Sequence, residues 1–133
     1  MDLSSFDTAK SADTGAKMQL RNPADESILL DGVFITVAGR DSDRFQKAER
    51  AQTDFRLEQS RVSGRPAKLS SAGIEADRIK ILVACTLGWE GIELDGAALE
   101  FSADNAEKLY KRLPWVKEQV DRFIADRANF LKA

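Results

Sequence analysis

The sequence contains no histidine and a single cysteine among its 133 residues. Histidine is the commonest general base and metal ligand near neutral pH, so its absence removes the side chain most often used for both purposes. Cys85 has no second cysteine with which to form an internal disulfide. It lies in an apolar run, where a free cysteine packs as a small hydrophobic residue, and we predict a buried and unreactive thiol.

Long hydrophobic runs and an excess of positive charge are also missing. No apolar run reaches the roughly 18 residues of a membrane span, and the first residues lack the basic and apolar regions of a signal peptide. We therefore expect an intracellular, soluble protein with no membrane partner. The 20 basic and 22 acidic residues give a net charge of -2, which disfavours a nucleic-acid partner.

Clusters of residues suited to catalysis are scarce as well. The acidic pairs Asp41/Asp43 and Asp25/Glu26 come nearest to a catalytic carboxylate set, but a helix cap or a turn explains each better. A metal site would need histidine, several cysteines or a dense carboxylate loop. We predict a protein that is not an enzyme, with no catalytic residue, no cofactor and no metal.

The composition is that of one globular domain, which we assign to residues 1–133. The chain is 43% hydrophobic and 32% charged, and its length suffices to bury a core. Met18 and Leu20 alternate with polar residues, and residues 33–39 are rich in β-branched side chains, so residues 1–40 are predicted to hold an antiparallel β-hairpin. We expect a long connection, with Ile28–Leu30 as a short extra strand or a bulge.

The rest of the chain is predicted to be helical. Asp41–Asp43 supplies capping side chains for a long helix over residues 41–63, whose apolar stripe is thin, and residues 64–73 have the composition of a flexible loop. Residues 74–131 are predicted to form the helical core, beginning with a helix that is apolar nearly all round and ends near Gly88. Ser102 or Asp104 can cap the next helix, and Pro114 begins the last one. The predicted fold class is mostly α with a small N-terminal antiparallel β-hairpin (α+β) and a C-terminal helical bundle.

The C-terminal half also carries a pattern that resembles a known family. Its parts are a tryptophan and a glycine after the core helix, a Phe-Ser cap, a Pro-Trp helix start and a closing Asn-Phe, which occupy Gly88–Ile92, Asp95–Ala106, Tyr110, Leu113–Val116, Gln119–Val120, Phe123–Ile124 and Asn129–Phe130. The junction Gly39–Asp43 after a strand fits the same pattern. Together these residues resemble the tail assembly chaperones of long-tailed bacteriophages and prophages.

The resemblance implies a helical protein without catalysis, whose partner is the phage tape measure protein. It implies that the chaperone keeps the tape measure protein soluble, recruits tail tube protein, and acts in the host bacterial cytoplasm without staying in the mature virion. The unpaired strand edges of the hairpin and the thin apolar stripe of the long helix favour self-association as well. Whether a longer frameshifted product accompanies this chain stays open.

Six residues are candidate partner contacts. Phe45, Phe55 and Arg56 lie on the long helix, Phe34 and Ile35 on the hairpin, and Arg65 in the loop. The competing interpretation is that Phe45 and Phe55 simply close the core. Two other functions remain open, namely a structural phage protein that stays in the virion, such as a head–tail connector or tail terminator, and a small regulatory module that binds a host protein or DNA.

Overall fold

The computed structural model describes residues 1–65 and 70–131. Within them, the α-helices are α1 (Thr8–Thr14), α2 (Asp43–Ser63), α3 (Ser71–Cys85), α4 (Ala103–Arg112) and α5 (Pro114–Ala125). The strands are β1 (Ala16–Asn22), β2 (Asp25–Val37), β3 (Thr86–Glu90), β4 (Glu93–Leu94) and β5 (Ala97–Ala98). Short 3-10 helices lie at Leu3–Phe6 and Arg127–Asn129.

The predicted hairpin is present, and β1 pairs with β2 in antiparallel register. Its connection is short rather than long, because the Asn22 side chain accepts a hydrogen bond from the Ala24 N–H and closes a tight turn. Asp25–Leu30 therefore belongs to β2, which is irregular between Leu29 and Phe34. Alternation along the strands sends Met18 and Ile35 to the buried face of the sheet.

The prediction that strands occur only near the N-terminus, with a helical bundle over residues 74–131, is wrong. The α3 helix ends at Cys85, and the next residues form β3, which pairs antiparallel with β2 to give a sheet of order β1-β2-β3. β4 and β5 form a second small antiparallel sheet. The fold is an α+β mixture in which sheet and helices share the C-terminal half.

The change from helix to strand occurs at Thr86, where hydrogen bonds satisfy the end of the helix. Its hydroxyl donates to the Leu82 carbonyl oxygen at 2.7 Å, which satisfies an acceptor at the end of α3. Because that hydroxyl has one proton, Tyr110 donates its own O–H to the Thr86 oxygen at 2.7 Å. Both residues are buried, and burial raises the pKa of Tyr110 to about 12. The Cys85 carbonyl oxygen also accepts the Ala38 N–H at 2.8 Å, which joins the ends of α3 and β2.

Two glycines bring β2 and the end of β3 together. Gly91, with φ of 75°, lies so close to the Gly32 carbonyl that an added Cβ would fall 2.0 Å from its oxygen. Gly32 itself has φ of 72°. A side chain at Gly91 would therefore clash with the backbone of β2 and strain its own backbone.

The core lies between the sheet and the helices α3, α4 and α5. Its fully buried members come from both layers and include Ile35, Val37, Leu82, Leu109, Tyr110, Val116, Val120 and Ile124. The predicted helix starts hold for the last two helices, since Ser102 accepts the Asn105 N–H and Pro114 is the first residue of α5. Cys85 is fully buried, as the sequence predicts.

We expect Thr86→Val to destabilise the protein more than Tyr110→Phe. The valine leaves the Leu82 carbonyl and the Tyr110 hydroxyl without partners, at about 1–3 kcal/mol each, whereas the phenylalanine removes one hydrogen bond worth about 0.5–1.5 kcal/mol. Urea unfolding of both variants and of the double variant measures the free energies. The double variant should lose less than the sum of the two single losses, since Tyr110→Phe removes one of the orphaned groups. A larger loss for Tyr110→Phe would contradict this account.

An ion pair ties the start of α2 to the end of the chain. Arg127 donates to both carboxylate oxygens of Asp41, at 2.6 and 3.0 Å. This contact holds the pKa of the Asp41 carboxyl below its ordinary value. A carboxyl whose pKa is lower in the folded state adds stability above its unfolded pKa, and that stability disappears as the pH falls through the folded pKa.

We therefore expect Asp41→Asn to lower the free energy of unfolding near neutral pH and to have a shrinking effect in acid. The difference between variant and parent should be full above about pH 5 and should fall away below the unfolded aspartate pKa of about 3.9. Urea unfolding at a series of pH values measures it. A difference that stays constant down to pH 2.5, or grows in acid, would show that the ion pair is not the cause.

Candidate protein-binding surface

The helix α2 is long but touches little of the core. Phe45, near its start, is its buried residue, and its principal neighbours are α3 and α1. Ser42 accepts the Phe45 N–H and Asp13 of α1 accepts the Asp43 N–H, so the start of α2 is well capped, as predicted for Ser42. Gly64 ends the helix in the left-handed conformation at φ of 67°.

The helices α2 and α3 pack together as a helical hairpin. Large apolar side chains are exposed on the half of this helical hairpin that lies away from the core. The exposed fractions are 57% for Phe55, 64% for Leu57, 75% for Val62 and 51% for Ile74. We call these four residues the hairpin tip. Phe55 and Val62 are one heptad apart and share a side of α2, whereas Leu57 lies on the opposite side. Isolated exposed apolar residues are ordinary, but several on one pair of helices make this end of the hairpin a candidate binding surface.

Polar contacts hold α2 against α3. Arg56 pairs with Asp77 of α3, and both side chains are partly buried. Nearer the core, the Arg44 guanidinium donates to the Ala84 carbonyl oxygen at 3.4 Å. Arg56 was predicted as a partner contact, and the structure gives it the role of joining the two helices. The exposed apolar side chains of α2 and α3 are therefore not needed to keep the two helices packed together.

Phe45 and Phe55, predicted together, occupy different environments. Phe45 is 7% exposed, and the Arg78 guanidinium lies over its ring at 5.6 Å from the centroid. Arg78 in turn pairs with Asp121 of α5. Phe45 therefore closes the core, as the competing interpretation held for both residues. Phe55 is on the surface and available to a partner.

The candidates on the sheet and in the loop lie apart from the hairpin tip. Ile35 is fully buried, so its side chain offers no contact surface. Phe34 lies on the other face of the sheet, half-buried, with the Lys17 Nζ 4.3 Å from its ring centroid. Arg65 is exposed just after α2. Residues 66–69 of the predicted flexible loop lie outside the described residues, and the prediction of a loop over residues 71–73 is wrong, because α3 includes them.

The sequence reasoning missed Val62, Leu57 and Ile74 as surface residues. Ile74 begins the segment predicted as the helical core, yet its side chain is 51% exposed. The sequence feature that indicates the exposure of Leu57 and Val62 is the high density of charged residues in α2 after Phe45. It leaves too few apolar residues for that part of the helix to pack on a core.

Neither a reactive thiol nor a cluster of metal-ligand residues is found among the described residues. Burial raises the pKa of the Cys85 thiol to about 11, so the thiol stays protonated and is a poor nucleophile. Within residues 1–65 and 70–131, no three histidine, cysteine, aspartate or glutamate residues come together as metal ligands would. Nor does any helix in these ranges have the length and apolar character to cross a membrane.

We expect alanine to lower the free energy of unfolding much more at Phe45 than at Phe55. Phe45→Ala should lower the free energy of unfolding by about 3–5 kcal/mol, because it removes a buried ring. Phe55→Ala should change it by about 0.5 kcal/mol or less, because its ring is exposed. Thermal and urea unfolding of the two variants provide the comparison. Equal losses at both positions would mean that Phe55 also supports the core and is not free for a partner.

Comparison with known proteins leaves the family of this chain unassigned. No protein-family model matches the chain, and no curated protein or solved structure is significantly similar to it. Its sequence pattern and its geometry are thus the basis for any functional proposal.

Proposed function

We propose that this protein is a non-enzymatic tail assembly chaperone that binds the phage tape measure protein through the hairpin tip. The observation that supports the proposal is the exposure of Phe55 and Val62, 57% and 75%, on one side of a helix that is anchored to the core at its other end. The resemblance of the C-terminal half to such chaperones supplies the identity of the partner.

The chemistry of the surface suits an amphipathic helix. Phe55 and Val62, seven residues apart, are spaced to meet the apolar stripe of a second helix lying along α2. Covering side chains of this size contributes roughly 1.5–3 kcal/mol each. The neighbouring charges have both signs, with Arg61 paired to Glu58 and Arg56 paired to Asp77, so many helical sequences can be accepted. A tape measure protein is a long helix-rich chain that offers such stripes repeatedly.

The remaining parts of the proposal concern assembly and location. Many chaperone copies along one tape measure chain would lie side by side, which gives self-association a role and leaves the sheet free to meet tail tube protein. The proposed place of action is the host bacterial cytoplasm, before virions are finished. Mass spectrometry of purified virions should then detect tape measure and tube proteins without this chain, and its presence in virions would favour a structural component instead.

The direct test is co-expression with a helical fragment of the tape measure protein from the same genome. We expect the fragment to remain soluble and to co-purify with this chain. Phe55→Ser combined with Val62→Ser should weaken the complex at least tenfold, about 1.4 kcal/mol, since two apolar side chains are removed from the contact.

Phe6→Ser is the matched control. Phe6 is 56% exposed, almost the same as Phe55, but it lies in the first 3-10 helix rather than at the hairpin tip. The control should leave the complex intact. Failure of any complex to form, or equal weakening by the control, would overturn the proposal.

A further inference from the structure

A groove runs along the outer edge of β1, far from the hairpin tip. It has a volume of about 420 Å³ and lies between β1 and α5. Leu29 and Phe123, with the largely buried Met18, supply its apolar lining, and Arg21 and Arg122 supply positive charge. β1 is an edge strand, since the order β1-β2-β3 gives it a strand neighbour on one side alone.

At one end of this groove, the Gln119 side chain makes the backbone hydrogen bonds that a neighbouring strand would make. The Gln119 amide of α5, 6% exposed, accepts the Arg21 N–H and donates to the Arg21 carbonyl oxygen, both at 2.9 Å. This reciprocal pair is the pattern that two residues of adjacent antiparallel strands exchange. The backbone of β1 thus directs a donor and an acceptor outward at Arg21, and an edge strand repeats this at alternate residues.

The charges of the groove favour an acidic occupant. Arg21 and Arg122 line it with one carboxylate, Glu26, which pairs with Arg122, while the third cation of the lining, Lys17, pairs with Glu90 of β3. Arg21 donates to the backbone oxygen of Glu26 at 3.0 Å, a contact that leaves the charge of its guanidinium unneutralised. Amide groups of Gln19, Gln119 and Asn129 complete the lining. Such a mixture of apolar surface, cations and amides suits an extended chain with alternating side chains.

We infer that the groove binds an extended, acidic segment of a partner protein, which adds to the sheet as a strand beside β1. Alternate apolar side chains of the segment pack on Phe123, and the carboxylates between them face Arg21 and Arg122. The Gln119 amide marks the end of the groove, because it occupies the backbone groups that the segment would otherwise use. This site shares no residue with the hairpin tip and stands apart from the proposed chaperone function.

Blocked seven-residue peptides test the inference. One alternates valine with aspartate, a second alternates valine with lysine, and a third repeats the first with N-methylated valines. We expect the aspartate peptide to shift the amide NMR signals of Lys17 to Arg21 and to bind more weakly as salt is raised. The lysine and N-methylated peptides should leave those signals in place, since one lacks the charge and the other the strand donors.

Arg122→Glu and Arg112→Glu separate the groove from general surface charge. Both arginines are exposed and paired to a carboxylate, Arg122 to Glu26 and Arg112 to Asp95. Arg122→Glu should weaken the aspartate peptide at least tenfold, about 1.4 kcal/mol, and Arg112→Glu should leave its affinity unchanged.

Four results would overturn the inference, and the first three concern the peptides and the arginine variants. They are binding of the lysine peptide as tight as that of the aspartate peptide, equal effects of the two arginine variants, and no shift of β1 amides with any peptide. Concentration-dependent shifts of β1 amides without peptide would also overturn it, because the edge would then pair with a second copy of this chain. Variants at Phe55 and Val62 should not change peptide binding, so failure here and failure of the chaperone proposal can be told apart.

Discussion

The fold depends on the point at which the helix α3 gives way to the strand β3. A buried chain of hydroxyl groups, from Tyr110 through Thr86 to the Leu82 carbonyl, satisfies the end of the helix and lets the chain turn into the sheet. Without this change of direction, β2 would lose its partner on one side and the sheet would be a bare hairpin, which is marginal in water. Both tyrosine and threonine are buried, so the contact acts within the core and fixes how α4 lies against α3.

The molecule then divides its apolar side chains between two tasks. Those on α3, α4, α5 and the inner face of the sheet make one core, while those in the outer half of the α2–α3 hairpin remain exposed. Ion pairs and caps hold the hairpin, which frees Phe55 and Val62 from a structural role. The groove beside β1 belongs to a different part of the surface and combines backbone edge, cations and apolar floor. The partners proposed for the two surfaces differ in shape, one helical and one extended.

Local signals in the sequence predicted much of this arrangement. Three kinds of signal act over a few residues and can be recognised without the fold. They are the capping residues Ser42 and Ser102, Pro114 at the start of α5, and the alternation of Met18 and Leu20 with polar residues. The strand β3 could not be recognised in this way. Its residues continue an apolar run with no clear period, and only pairing with β2 decides between helix and strand.

The candidate sites show the same limit. Phe45 and Phe55 look equivalent along the sequence, and their separation into core and surface depends on where Arg78 and α5 lie. The sequence did not indicate that Gln119 contacts β1, because a single glutamine on an apolar helix face resembles any tolerated polar residue. Its meaning comes from Arg21, which is distant in sequence and becomes its neighbour through the fold.

The slight burial of α2 has a consequence for how the protein opens. With Phe45 as its buried residue, the far half of the helix can unfold without exposing core, so its amide protons should exchange with solvent through local opening. The sheet and α5 should exchange through global unfolding instead. We therefore expect the far half of α2 to be less stable than the sheet and α5. A partner helix that bound there would also reduce the local opening of α2, and this coupling would affect its affinity.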